Sequence, residues 1–367
     1  MQFKTITFAS NHNEEFYSVL KQRVNNYFKT KKLSKHANIA MVFKTIVLLA
    51  VYLVPLCLLF MDFSSTWAYV GLWIIMGFGM AGVGLSVMHD ANHGTYSKNQ
   101  TVNNIVGHVL VILGGSDVNW RIQHNVIHHT YTNVDEVDED ISPPSFLLRF
   151  SPHAKRYPIH RYQHVYAWFL YGLMTLMWFV TKDFNQAIRY HKKDLLKSQG
   201  ITLSTHMTKI IIFKIIYAAL FIILPVIFSP TYWYISILGF LIMNFISGLV
   251  LSMIFQPAHV VPSSNFPVPD DSGNIDADWA VNQLINTANF APKARLFSWY
   301  VGGLNYQIEH HLFPNICHIH YRKIAKIVEE TALEFRLPYH SYKTFYAALA
   351  DHTRLLYRLG NQDVVVA

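Results

Sequence analysis

Cysteine is almost missing from this 367-residue chain, which has only Cys57 and Cys317. The fold therefore does not depend on disulfides, and no redox compartment follows from cysteine usage. Cys57 sits in an apolar run and Cys317 beside histidines, so nothing recommends pairing them. Charge is equally sparse. Only 14% of residues are Asp, Glu, Lys or Arg, against roughly 25% in an ordinary soluble protein. By contrast 52% are apolar and 15% aromatic, which argues against the two soluble domains that length alone would allow. No basic stripe with interleaved aromatics occurs, so nucleic acid is not an expected partner. The formal net charge of +8 suits anionic headgroups of membrane lipids instead. The N-terminal stretch MQFKTITFASNHNEEF has no short apolar core of the secretory kind, and is expected to stay on the cytosolic side.

Long apolar runs are what the chain has in place of charge. Crossing a bilayer takes about 20 mostly apolar residues, and Ile39–Met61, Trp67–Met88, Ile210–Phe228 and Trp233–Phe255 meet that need. The links DFSST and SPTY are too short for anything but hairpin turns. Neither link carries a Lys or Arg, whereas the stretch before Ile39 and the stretch Lys182–Lys209 are both basic. The positive-inside rule therefore puts both links outside and the rest in the cytosol. Lys44 and Lys214, near the cytosolic ends of their spans, are expected to snorkel outward. Ile105–Gly115 is too short to cross. A crossing at Val165–Val180 would split the histidines between two sides, so both stretches read as re-entrant or interfacial. Trp168, Tyr171 and Trp178 suit the headgroup level.

The fold class expected is an all-α integral membrane protein: two transmembrane hairpins, re-entrant or interfacial helices and a cytosolic helical cap. Its organisation reads as a cytosolic N-terminal segment (1–38), a first hairpin (39–88), an interfacial segment (89–209), a second hairpin (210–255) and a cap (256–367).

Histidines cluster where the apolar runs end. His89 and His93 follow the second run, and His259 follows the fourth. Between them lie His124, His128 and His129, and further on Gln307, His310 and His311. On an α-helix, residues four apart share a face with Cβ atoms about 5–6 Å apart. That spacing relates His89 to His93, His124 to His128 and Gln307 to His311. Adjacent residues point about 100° apart, so His128 and His129, or His310 and His311, address two different points. Eight imidazoles thus amount to four for each of two neighbouring ions. Isolated histidines such as His12, His36, His191 and His352, and also His108, His153, His160, His164 and His206, read as ordinary polar residues. The acidic run Asp135–Asp140 reads as a solvated loop rather than a calcium site.

Imidazole suits zinc, copper, iron and nickel alike. Structural zinc closes its shell with four ligands, usually including cysteine, and catalytic zinc needs three. A set of eight nitrogens fits a dinuclear redox site better, and iron with open positions can activate oxygen.

These motifs carry a resemblance. HDANHG (His89–Gly94), WRIQHNVIHHTYTN (Trp120–Asn133) and GGLNYQIEHHLFP (Gly302–Pro314) are similar, in order and spacing, to the three histidine boxes of the membrane fatty acid desaturases. The likeness runs from about Val83 to Ile327. Gln307, where most members have histidine, resembles the front-end branch, which inserts a double bond between an existing one and the carboxyl end. The resemblance implies two iron ions (Fe2+/Fe3+) held by His89, His93, His124, His128, His129, His259, His310 and His311, with O2 as co-substrate. Gln307 would ligate through oxygen or hold a water, and Asp90 and Asn305 would support ligands by hydrogen bonds. It further implies a fatty-acyl substrate, as acyl-CoA or acyl-lipid, in a tunnel. The stretch Asn104–Ser116 and Trp168, Trp299, Tyr300, Gly302 and Gly303 are candidates for its wall. The His-Pro-Gly-Gly motif of a fused cytochrome domain does not occur, so external electrons are expected from a separate ferredoxin or cytochrome b5. Arg322, Lys323 and Lys326 are candidate contacts for such a carrier. The alternatives are a hydroxylase of the same superfamily and, from another class, a zinc-dependent membrane hydrolase or a metal transporter.

Overall fold

The computed structural model describes residues 6–8, 14–63, 65–142 and 146–362. His12 lies outside them. The chain is helical, and among the described residues the strands are two-residue parallel pairings, Thr7–Phe8 with Asn274–Ile275 and Asn289–Phe290 with Ser341–Tyr342. Among the described residues four helices are long and apolar enough to cross a membrane: Ile39–Leu58, Thr66–Asn92, Leu203–Phe228 and Trp233–His259. The protein is an all-α, multi-pass membrane protein.

Three of these helices outrun the apolar stretches that announced them, Leu203–Phe228 at its start and the two longest at their ends. Thr66–Asn92 and Trp233–His259 each have 27 residues, about 40 Å at 1.5 Å per residue, against a hydrocarbon core of roughly 30 Å. Hydropathy sees only the apolar part, but the backbone ladder continues through the polar turns. His89 and His259 therefore ride on the spans themselves. Gln100–Leu113 is a short apolar helix, and Pro158–Gly172 with Met174–Lys192 is a helix pair broken by 58°, so neither stretch is a straight span.

The chain divides into two compact units, the first made of Asn38–Ile122 and Trp168–Met253. Within it, Gly79 lies against the backbone of Tyr52, where an added Cβ would sit 2.6 Å from the Tyr52 nitrogen. Gly239 gives way to the indole of Trp73, and Gly77 to Ile246. Small residues that let backbones approach are how apolar helices associate in lipid, where no hydrophobic force drives them together. Gly79→Ala is expected to lower the thermal unfolding temperature of the detergent-solubilised protein, since overpacking costs about 1–3 kcal/mol. An unchanged melting curve would mean that this contact relaxes freely.

Lys214 does not snorkel. Its Nζ donates to the carbonyls of Gly114 at 2.6 Å and Trp178 at 2.7 Å and pairs with the buried Asp183. Asn119 extends the network, donating to Asp183 O at 2.8 Å and meeting His206 Nε2 at 2.8 Å. Gly114, at φ +80°, ends the helix Gln100–Leu113 in the left-handed turn that frees its carbonyl for the ammonium. A buried ammonium with three acceptors is better placed than one stretched past apolar side chains to water. Lys44 is also buried, with 2% of its surface exposed.

The second unit comprises the described parts of Lys4–Ala37, Gln123–Ala167 and Ile254–Ala367. Its core joins Phe16, Leu20, Val24 and Phe28 of the helix Glu14–Thr30 to Leu284, Ile308, Leu312, Ile324 and Val328. Phe16, Leu20, Val24 and Phe28 recur every four residues or so, as one helix face demands. The C-terminal helix Phe345–Asn361 is tied down where Gln163 Nε2 donates to Leu356 O at 2.8 Å and Arg149 to Leu359 O at 2.6 Å.

Candidate metal centre

The second unit gathers six histidines. His124 and His128 lie on Arg121–His128, a π-helical turn, and His129 follows. The bond His129 N–H to His124 O, at 3.0 Å, closes five residues instead of four. This adds to the rings that meet. The α-helical expectation paired His124 with His128. Those two rings do stack, with centroids 5.2 Å apart, and the wider turn also brings His124 Nε2 to 3.3 Å from His129 Nε2, which is 3.0 Å from His310 Nε2. Two nitrogens on one ion at about 2.1 Å stand roughly 3.0–3.4 Å apart. His128, His259 and His311 form a second group whose ligand atoms lie within 4.8 Å of one another, all fully buried. His310 and His311 diverge as neighbours on a helix must, their rings at 80°.

Five of the six rings are held from behind. His128 Nδ1–H donates to Asp138 at 2.8 Å, and His124 Nδ1–H to Asp140 at 3.0 Å. His311 Nδ1–H donates to Gln283 Oε1 at 2.9 Å, and His259 Nδ1–H to the Asn286 carbonyl at 3.2 Å. His310 Nδ1 meets the Tyr321 hydroxyl at 3.1 Å. Where Nδ1 keeps the proton, Nε2 keeps its lone pair for a metal. The Nε2 atoms of His128 and His259 are buried with no hydrogen-bond partner, a costly state that a bound cation relieves. The donor set fits a pair of imidazole-bound metal ions. Burial alone would lower the pKa of His128, but the charges of Asp138 and Asp140 outweigh it and raise the value.

The acidic run is therefore no solvated loop. Asp138 is completely buried and also accepts the backbone N–H groups of Asn133 at 2.9 Å and Asp140 at 3.0 Å. Asn133 adopts a left-handed φ of +61°, which asparagine tolerates, and its side chain donates to the His259 carbonyl at 2.9 Å. The helix Trp279–Ile285, capped by Asp278, clamps the same stretch. Trp279 donates to His129 O at 3.2 Å and Asn282 to Thr132 O at 3.1 Å. None of these supports was singled out in the sequence. The only available signal was that acids fall ten residues past His128 and sixteen past His124.

The remaining candidates have plain positions. Gln307 donates to Leu304 O at 2.8 Å, and its buried Oε1 lies beside His259 without a well-formed hydrogen bond. Asn305 donates to the carbonyls of Phe290 and Ala291, so it braces a strand. In the same box Glu309 is fully buried between Asn289 and Tyr339, each donating at 2.9 Å. Burial pushes its carboxyl up to about 7 against the pull of those donors. Trp299 is 38% exposed, and Tyr300 is half-buried beside it. Gly302 and Gly303 take left-handed φ values of +66° and +64°, and Gly303 packs against His318. In the first unit His89 and His93 keep their expected pairing, with ring centroids 4.7 Å apart and each ring 5.5 Å from Trp120. Asp90 comes only to 3.9 Å of His89 Nδ1, and Trp168 packs edge-on against Tyr171.

The chain is 37% identical over 349 residues to an sn-1 linoleoyl-lipid 6-desaturase of Arthrospira platensis, covering 94% of this chain and 92% of that one. It is 37% identical over 363 residues to an acyl-lipid (8-3)-desaturase of Physcomitrium patens, covering 97% and 74%. A sn-1 linoleoyl-lipid 6-desaturase of Synechocystis sp. is 34% identical, with 94% and 95% covered. The sequence model of the fatty acid desaturase family matches residues 65–343. The chain belongs to the fatty acid desaturase family and is an oxidoreductase of that kind.

Proposed function

We propose that this desaturase is of the front-end type and places a cis double bond between an existing one and the carboxyl end of an acyl chain esterified in a lipid. Support for a di-iron centre comes above all from one observation: six buried imidazoles of the second unit converge in overlapping groups, and the backs of five are tied by hydrogen bonds. His89 and His93 are proposed as further ligands on the strength of the sequence boxes and their own pairing. Front-end selectivity is supported by Gln307 in the third box, and a lipid-borne chain by the names of the relatives. The lack of Lys and Arg in the hairpin links supports a cytosolic centre.

Bound iron would supply an oxidant, drawn from O2, strong enough to take hydrogen from unactivated methylenes. The residues of the chain do the positioning. Asp138, Asp140, Gln283 and the Asn286 carbonyl fix which ring nitrogen faces the centre. Gln307 offers an amide oxygen beside His259 that can hold a water. Burial of His128, His259 and His311 excludes bulk water from that end. Overall, two hydrogens from the acyl chain, two electrons and two protons reduce one O2 to two waters.

Expression in a host without polyunsaturated lipids, fed linoleate, tests the reading. A trienoic product with its new bond on the carboxyl side, located by mass spectrometry, is expected. An alcohol would mean hydroxylation instead, and stoichiometric zinc without oxygen-dependent product would overturn the proposal.

A further inference from the structure

Resting on that reading, which requires two external electrons per turnover, we propose that residues 29–35 and the start of the helix Tyr321–Glu334 form the docking site for an acidic one-electron carrier protein. The two segments lie far apart in sequence but are joined in the second unit. Cys317 N–H donates to Lys35 O at 2.8 Å, and the His320 ring packs edge-on against Phe28 at 5.0 Å. Lys35 Nζ sits 5.9 Å over the Phe28 ring and donates to Asn25 at 2.7 Å. This brings exposed Lys29, Lys31 and Lys32 to the end of the helix that bears exposed Arg322 and Lys323.

The patch has an edge. Lys326 is paired with Glu330 at 3.5 Å, and Glu334 with Arg23 at 2.7 Å, so acids begin further along the helix. Leu33, 45% exposed, provides an apolar spot among the cations. A small, charge-rimmed contact of this kind suits the weak, fast encounters of electron-transfer partners.

Position favours a redox protein over a lipid surface. Directly beside Arg322 in the chain, buried Tyr321 touches His310 Nδ1 at 3.1 Å, and His310 Nε2 lies 3.0 Å from His129 Nε2. Tyr321 alone thus stands between the basic surface and a proposed ligand. Each carrier would be oxidised by one electron there, and two such events supply the pair that the overall reaction consumes.

The test uses the full chain in nanodiscs and a plant-type ferredoxin as probe, comparing wild type with the triple variant Lys31→Glu, Lys32→Glu, Lys323→Glu. Binding is measured by surface plasmon resonance across a salt series. The variant is expected to bind about tenfold more weakly at low salt, with a flattened salt dependence. Turnover driven by ferredoxin should fall in step, while turnover driven by dithionite with a small neutral mediator should hold. Equal affinity and equal salt slope would overturn the site. So would a variant that loses affinity for phosphatidylglycerol vesicles but not for ferredoxin, which would assign the patch to lipid. No product from wild type with either reductant would instead defeat the desaturase reading on which the proposal rests, and binding alone would not rescue it.

Discussion

Replacing His128 by alanine is expected to abolish double-bond formation and to leave the purified protein with less than half of its iron. His128 is completely buried, its Nε2 has no protein partner, and it shares its group with His259 and His311. Removing it leaves that group short of a ligand that nothing nearby replaces. The fold should survive, because Asp138 keeps its two backbone donors from Asn133 and Asp140. His191→Ala, at an exposed histidine, serves as the control and should behave as wild type. Metal analysis and product analysis on the same preparation check the result. Near wild-type desaturation by His128→Ala would remove it from the ligand set.

The second large effect is expected at a residue that touches no metal. Asp138→Asn preserves size but removes the negative charge behind the His128 ring. The amide can also turn its NH2 towards Nδ1, which would move the ring proton to Nε2 and block it as a ligand. Disrupting such a support typically costs 10–100-fold in metal affinity or activity, and a loss within roughly that range is expected here. Iron retained after gel filtration and initial desaturation rate are the measurements. A variant with full iron and full rate would show that the Asp138 contact at 2.8 Å is structural only.

The spans and the histidines were legible in the sequence because both are local signals. An apolar run declares itself within 20 residues, and a box within six. The supports were not legible, because they are relations between distant segments. Gln283 reaches His311, and Asn286 reaches His259, across 28 and 27 residues, and no periodicity marks such pairs. Asp138 failed for a different reason: acids in a short polar run are usually solvated, and only the fold shows this one at zero exposure. Lys214 failed because snorkelling assumes that lipid surrounds the stem. Here the carbonyls of Gly114 and Trp178 are nearer than water.

The π turn at Arg121–His128 has a consequence for how the letters HNVIHH encode a centre. On a regular α-helix they would spell a stripe with one outlier, and two rings would speak to one neighbour. With one extra residue lodged in the revolution, the same six letters become a junction with separate exits. One leads through His124 towards His310, the other through His128 towards His259 and His311, and His129 faces both His310 and His311. The coding unit is then the pairing of spacing with helix pitch, and the same string in a helix of ordinary pitch would be a homonym.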